Sequence, residues 1–325
     1  MAKVTDEIRD ERRLGVALKI ADQLRKGEAV WQQEFNPAIN KEFVLPYNVE
    51  TGRRFSGYNM MEIFANKQSN EKIGPTQFFT FEEAKNENWI IKKNATAIPI
   101  EHHVKFDMGY KDIVDKDGKK NKEFYKEKTE KPIFYNQHVF SLKDLQGEYK
   151  LPYPESKINT AEAIENILKN TDIKIVNEKG LQKSFYAAKR NEIHIAAMDE
   201  NKKDEYYSNI LRHVAKAAGK EGRAFGKELE GYSAKAGDLA YVKNKFITEL
   251  AAMQLSMRMG LPYKPQLSEF ESKQLAGLIE KKPVNLVIMA NESSKVRSYV
   301  MKNTKEHVKD KDVEANKTKG TAVSR

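Results

Sequence analysis

The chain contains no cysteine. This excludes disulfides, thiolate zinc sites, iron–sulfur clusters and a cysteine nucleophile, and leaves six histidines and the carboxylates as the only strong metal ligands. Long apolar runs are also missing. Nothing approaches the roughly 20 residues that a membrane-spanning helix needs. The segment from Met1 to Arg13 is charged and lacks an apolar signal core, so the expectation is a cytoplasmic protein with no membrane association. There is no Gly-rich phosphate loop, no Ser-centred nucleophile elbow and no dinucleotide-binding fingerprint, and no cofactor is expected. No repeat of fixed period runs through the chain.

Charge is abundant. Charged residues make up 32% of the 325 positions and hydrophobic ones 39%, enough for packed cores in a chain of this length, which predicts about two domains. The net charge is +10. Residues 1–150 carry 26 basic and 24 acidic side chains, and residues 151–325 carry 31 and 23, so the excess lies in the second half. A basic balance suggests a polyanionic partner such as nucleic acid, although the first half by itself is close to neutral.

Helical spacing of Ile8, Leu14, Leu18, Ile20 and Leu24 predicts a helix over 4–26 that stops at Gly27. Short helices are expected over 60–67 and, capped by Thr80, over 81–86. Trp89-Ile90-Ile91, Thr96 to Val104 and Ile133 to Phe140 read as strands, and Asp117-Gly118 as the tip of a charged hairpin. Gly147, Pro152, Pro154 and Ser156 mark a linker over 148–158. Beyond it come a helix from Thr160, strands at 173–176, 185–187 and 192–195, and helices near 203–218, 237–259, 268–280 and 291–303. Residues 304–325 are rich in Lys, Glu and Thr, and disorder is expected there. Mixed strands and helices in both halves predict an α+β protein of two domains, 1–147 and 159–303.

Several segments carry a resemblance. Pro46-Tyr47-Asn48-Val49-Glu50-Thr51-Gly52-Arg53-Arg54-Phe55-Ser56-Gly57-Tyr58-Asn59, preceded by Trp31 and Pro37 and followed by Phe79 to Ala84 and Trp89 to Thr96, is similar to the N-terminal block of the ArdC-type antirestriction proteins of plasmids, phages and conjugative elements. Those proteins pair a single-stranded-DNA-binding domain with a zincin-like metallopeptidase domain. The resemblance covers roughly residues 10–305. It implies that domain 1–147 binds single-stranded DNA. Trp31, Asn48, Arg53, Arg54, Phe55, Tyr58, Asn59, Trp89, Lys92 and Lys93 are the candidate contacts. Aromatic platforms next to basic groups are what single-strand binding uses, and the competing reading is that most of these aromatics are core. Lys92-Lys93-Asn94-Ala95-Thr96 departs from the Lys-Gly-Glu-like turn of the family.

In the second half, Tyr206 to Leu211 resembles the start of the family's zinc helix, which continues His-Glu-x-x-His. Here the sequence reads Arg212-His213-Val214-Ala215-Lys216. A zincin needs two imidazoles at i and i+4 and a Glu between them to activate water. Arg212 and Lys216 cannot ligate a cation, and shifting by one residue meets Ala217. A pseudo-metallopeptidase is therefore expected, with no metal and no catalytic residue. Glu249 is the carboxylate kept on the helix that resembles the family's acidic helix. Three readings of the basic positions stand side by side: Arg212 or Lys216 pairs with Glu249 in place of the metal, the old cleft binds an anion, or Arg212, Lys216 and Lys220 form a solvated face.

The expected function is thus protection of mobile-element or phage DNA from host defence, with single-stranded DNA and a host defence protein as partners. One alternative is an interaction protein that does not bind DNA and that inhibits a host factor or travels with phage DNA. The other is an active zinc metallopeptidase with a rearranged site.

Overall fold

The computed structural model describes residues 2–114, 119–147, 149 and 151–305. In chain order the elements are β1 (Ala2–Lys3), α1 (Asp6–Lys26), β2 (Tyr47–Asn48), α2 (Tyr58–Ala65), β3 (Gln77–Thr80), α3 (Phe81–Asn86), β4 (Ile98–Val114), β5 (Lys120–Ser141), α4 (Thr160–Thr171), β6 (Lys174–Glu178), β7 (Phe185–Ala187), β8 (Glu192–Ala196), α5 (Lys203–Ala217), α6 (Leu239–Met259), α7 (Glu269–Lys281) and α8 (Val284–Lys302). The fold is mixed α and β, with one sheet in each half.

Local chemistry sets most boundaries. Thr5 caps α1 by accepting from Ile8 N, and Gly27 closes it in the left-handed region at φ 70°. Thr80 and Glu83 form a reciprocal capping box at α3. Asn159 caps α4, one residue before the helix begins at Thr160, because its side chain accepts from Glu162 N. The helix expected over 291–303 starts earlier, at Val284 behind Pro283. Trp89 to Ile91 is not a strand; it makes one isolated bridge, Ile91 to Leu145. On α1 the buried positions are Val16, Ala17, Ile20, Ala21 and Leu24, whereas Ile8, Leu14 and Leu18 face solvent. The small Ala17 and Ala21 let the neighbouring helices approach closely, and this narrows the buried stripe.

The first sheet runs β1-β5-β3-β2, with β4 also paired to β5. β4 and β5 form a long antiparallel hairpin, in register from Ile98–Val139 out to Val114–Lys120, with an irregularity between Val104 and Phe106. The Asp117-Gly118 tip lies outside the described residues, as do 306–325 of the expected disordered tail. In the second sheet β8 lies between β6, parallel to it, and β7, antiparallel.

One hydrophobic cluster joins the two halves. It includes Ile20, Trp31, Phe64 and Phe78 from the first half and Ile193, Leu211, Phe246, Met253 and Leu286 from the second. The segment expected as a linker packs against both sides: Leu151 O accepts from Gln77 Nε2 at 3.1 Å, and Ser156 Oγ donates to Arg258 O at 3.1 Å. Among the described residues, no helix is long and apolar enough to cross a membrane.

Candidate functional site

The 46–59 loop is fixed by side-chain hydrogen bonds along its length. Asn48, nearly buried, organises it. Its Oδ1 accepts from Thr51 N at 2.8 Å and Thr51 Oγ1 at 2.9 Å, and its Nδ2 donates to Glu83 at 2.7 Å. Gly57 sits at φ 59° against α8, where a Cβ would lie 2.2 Å from Asn291 Oδ1. Its N–H donates to Ser294 Oγ at 2.8 Å, and Tyr58 N donates to Asn291 Oδ1 at 3.2 Å. Asn59 exchanges two hydrogen bonds with the Glu101 backbone on β4, at 2.9 and 2.8 Å. The loop is therefore clamped between α8 and the sheet with its arginines outward.

These contacts create a cleft of about 770 Å³. Asn48, Arg53, Arg54, Phe55, Tyr58 and Asn59, six of the ten candidate contacts, line it together. Arg53 and Arg54 are exposed and Phe55 is half-buried, edge-on to Phe78 at 5.8 Å. On the floor, Arg13 is held by Glu101 at 2.7 and 3.1 Å, and Arg12 reaches the same carboxylate at 2.5 Å. Glu62 lies beneath, 3.5 Å from Arg12 and 3% exposed. Burial outweighs the Arg12 charge and pushes the Glu62 carboxyl up to about 7.

The other candidates lie elsewhere. Trp31 is fully buried and meets Phe246 edge-on at 5.2 Å, so it cannot stack a base; its bulk completes the core between the halves. Tyr58 is 4% exposed, and burial raises its hydroxyl pKa, so it forms wall rather than platform. Trp89 is half-buried between Phe79 and Tyr149, and neither it nor the exposed Lys92 and Lys93 lines this cleft. Lys92 Nζ instead donates to Lys143 O at 2.6 Å. Sequence reasoning missed Asn291 and Ser294, which come from α8 over 230 residues away. No local pattern marks them.

The second cleft, about 440 Å³, gathers Arg212, His213 and Lys216 from α5 and Glu249 from α6. Arg212 Nη1 donates to both carboxylate oxygens of Glu249, and its Nη2 to Lys264 O at 2.5 Å. The pair is 11% and 5% exposed. The Tyr263 hydroxyl lies 3.4 Å from the same carboxylate. His213 bonds Ser184 Oγ at 2.8 Å, and burial, with Arg212 and Lys216 beside it, lowers its pKa to about 3. Burial and Lys245 also lower Lys216, which makes no ion pair among the described residues. The donor set does not fit a divalent ion: a guanidinium occupies the carboxylate, and among the described residues no group of three His, Asp or Glu could hold a metal.

Residues 11–140 match the family described as the N-terminal domain of anti-restriction factor ArdC. The metal-free crystal structure of the antirestriction ArdC protein from the R388 plasmid superposes with a TM-score of 0.61, covering 90% of this chain and 97% of that one at 15% identity. Residues 11–140 thus carry an ArdC-type N-terminal domain, and the chain shares the fold of the R388 protein. The Mn(II)-bound form of the R388 protein superposes equally well, with a TM-score of 0.60 at 14% identity. Two curated relatives, both DNA primase TraC of Escherichia coli, are 24% and 23% identical over 295 residues, which is 88% of this chain but 19% and 26% of theirs. The chain thus spans about a fifth to a quarter of the length of those relatives. Most of the loop-and-sheet cleft belongs to the matched domain, with α8 closing one side.

Proposed function

We propose that this chain is an antirestriction protein that grips single-stranded DNA in the loop-and-sheet cleft, and that its second half acts as a scaffold or a surface for a host defence protein, without metallopeptidase activity. The observation that carries the reading is the convergence of Arg53, Arg54 and Phe55 at the exposed mouth of one cleft. Two guanidiniums give bidentate contacts to phosphates, and the half-buried Phe55 ring offers a base one stacking face. With Tyr58 buried and the Phe134 ring covered by Arg9 at 4.5 Å, few rings are open to bases, so backbone contacts dominate and binding tolerates any sequence. The ArdC protein of R388 is named for antirestriction, and the TraC relatives are named as DNA primases; both settings involve DNA. The Arg212–Glu249 pair supports the non-peptidase part of the proposal, because the carboxylate that a metal would need is already bound.

The test is fluorescence anisotropy with labelled single- and double-stranded oligonucleotides over a salt series. Wild type is expected to prefer single strands. Arg53→Ala/Arg54→Ala should bind more weakly, with a salt slope shallower by about 1.4, or about 0.7 for each phosphate no longer neutralised. Absence of binding at low salt would overturn the DNA reading. A partner recovered from nuclease-treated host lysate would then direct attention to protein contacts.

A further inference from the structure

Arg54 lines not only the main cleft but also a second cavity of about 360 Å³ at the seam of the two halves. There it meets Arg258 of α6 and Lys157, with Leu45 and Ser156 completing the wall and the exposed Glu155 at the rim. A third arginine lies close by. Arg297 stands one turn beyond Ser294 on α8, the residue that anchors the arginine-bearing loop. Its Nη1 donates to Gln254 Oε1 at 3.2 Å, and Gln254 lies one turn before Arg258 on α6.

These three cations are treated differently from the arginines of the buried pairs. Arg12 and Arg13 are neutralised by Glu101, and Arg212 by Glu249. Arg54, Arg258 and Arg297 make no ion pair with a carboxylate among the described residues. Burial lowers the pKa of all three, and they act on one another: Arg54 lowers Arg258, and both lower Arg297, to about 10. Arg258 in the last turn of α6 gains from the helix dipole, which accounts for one cation but not three. Two arginines on one cavity, with the charge of a third acting on both from behind it, cost the free fold stability, which is the signature of a site completed by an anion. The forked guanidinium matches phosphate.

We infer that Arg54, Arg258 and Arg297 form a phosphate-binding cluster. On the single-stranded-DNA reading proposed above, on which this assignment of the ligand rests, the cluster receives the backbone as it leaves the main cleft. The strand path then crosses from the ArdC N-terminal domain onto α6 and α8.

The experiment compares wild type, Arg258→Gln, Arg297→Gln and Arg53→Ala/Arg54→Ala in the anisotropy salt series. A second arm measures Tm with and without inorganic phosphate at matched ionic strength. Each single variant should bind single-stranded DNA severalfold more weakly, with a slope shallower by about 0.7. Its Tm without phosphate should not fall, since one of three repelling charges has been removed. Phosphate should raise the Tm of wild type more than that of Arg258→Gln. If the double variant loses affinity while Arg258→Gln and Arg297→Gln match wild type in affinity and slope, the cluster is overturned and the DNA reading stands. If wild type binds no single strand, the DNA reading falls and the phosphate arm decides. A wild-type-specific Tm rise keeps the cluster as an anion site, and equal responses refute it.

Discussion

Replacing Arg212 with Met removes the guanidinium and orphans the Glu249 carboxylate, 4% exposed in the native fold, beside a Tyr263 hydroxyl 3.4 Å away whose proton is engaged by Trp31 O. A buried ion pair adds little net stability, because two desolvation penalties offset its attraction, but an orphaned partner is costly, typically about 3–5 kcal/mol. The exposures of 11% and 5% place this pair in the buried class rather than among surface bridges worth about 0–1 kcal/mol. Arg212→Met is therefore expected to lose about 3–5 kcal/mol in urea unfolding followed by circular dichroism. Arg212→Met/Glu249→Leu should recover most of that loss, because both charges are gone and the space is refilled with apolar atoms. The coupling energy from the double-mutant cycle measures the pair. A loss below about 1 kcal/mol for the single variant, or no recovery in the double, would refute the claim that Arg212 acts as the internal counter-ion of Glu249.

Two further outcomes are expected. Unfolded His213 takes a proton below pH 6.5 while the folded residue stays neutral to about 3, so its stabilising share is lost as pH falls below 6.5; Glu62, raised from 4.5 to about 7, does the reverse and favours the fold as pH falls from 7 to 4.5. Between 4.5 and 6.5 the two slopes oppose each other at about 1.4 kcal/mol per pH unit each. Relative to wild type, His213→Gln should gain stability as pH falls through this window and Glu62→Gln should lose it. Parallel curves in urea titrations from pH 4.5 to 7.5 would sink this account. Separately, Arg212→His/His213→Glu/Lys216→His should retain zinc after dialysis, read by elemental analysis, where wild type does not; a folded variant free of zinc would show that the α5 and α6 positions are not aligned for a metal.

Much of the cleft was legible because its parts are contiguous in sequence. Asn48-Val49-Glu50-Thr51-Gly52-Arg53 reads as a turn, and Gly52 adopts φ 66°. The turn fixes where Arg53 and Arg54 stand. The partner side of the cleft was not legible, since Asn291 and Ser294 are ordinary polar residues on a long helix and only the tertiary fold brings them to Gly57. Aromatics misled for a related reason. Trp31, Tyr58 and Phe55 look alike to a sequence reading, but burial separates them, and burial is set by α6 and α8. The Arg212 and Glu249 pairing was among the readings open at the sequence level. Choosing Arg212 over Lys216 required the facing of α5 against α6, which a spacing of four residues on one helix cannot supply.

Trp31 and the Arg212–Glu249 pair prove to be parts of one arrangement. The Tyr263 hydroxyl lies 2.9 Å from Trp31 O and 3.4 Å from Glu249 Oε2, so its single proton serves the nearer carbonyl. The Arg212 guanidinium stands over the Tyr263 ring at 5.6 Å. Phe35 pairs with Tyr263 through two backbone hydrogen bonds, at 3.0 and 2.9 Å. A chain of contacts thus leads from the cation on α5 through Glu249 and Tyr263 to the 3-10 turn that holds Trp31 in the first half. Without a positive group at Glu249, a buried carboxylate would lie at the seam on which both halves pack. Arg212, held on α5, supplies that charge. Arg212 therefore provides, from the protein itself, the counter-charge that the buried Glu249 needs at the seam.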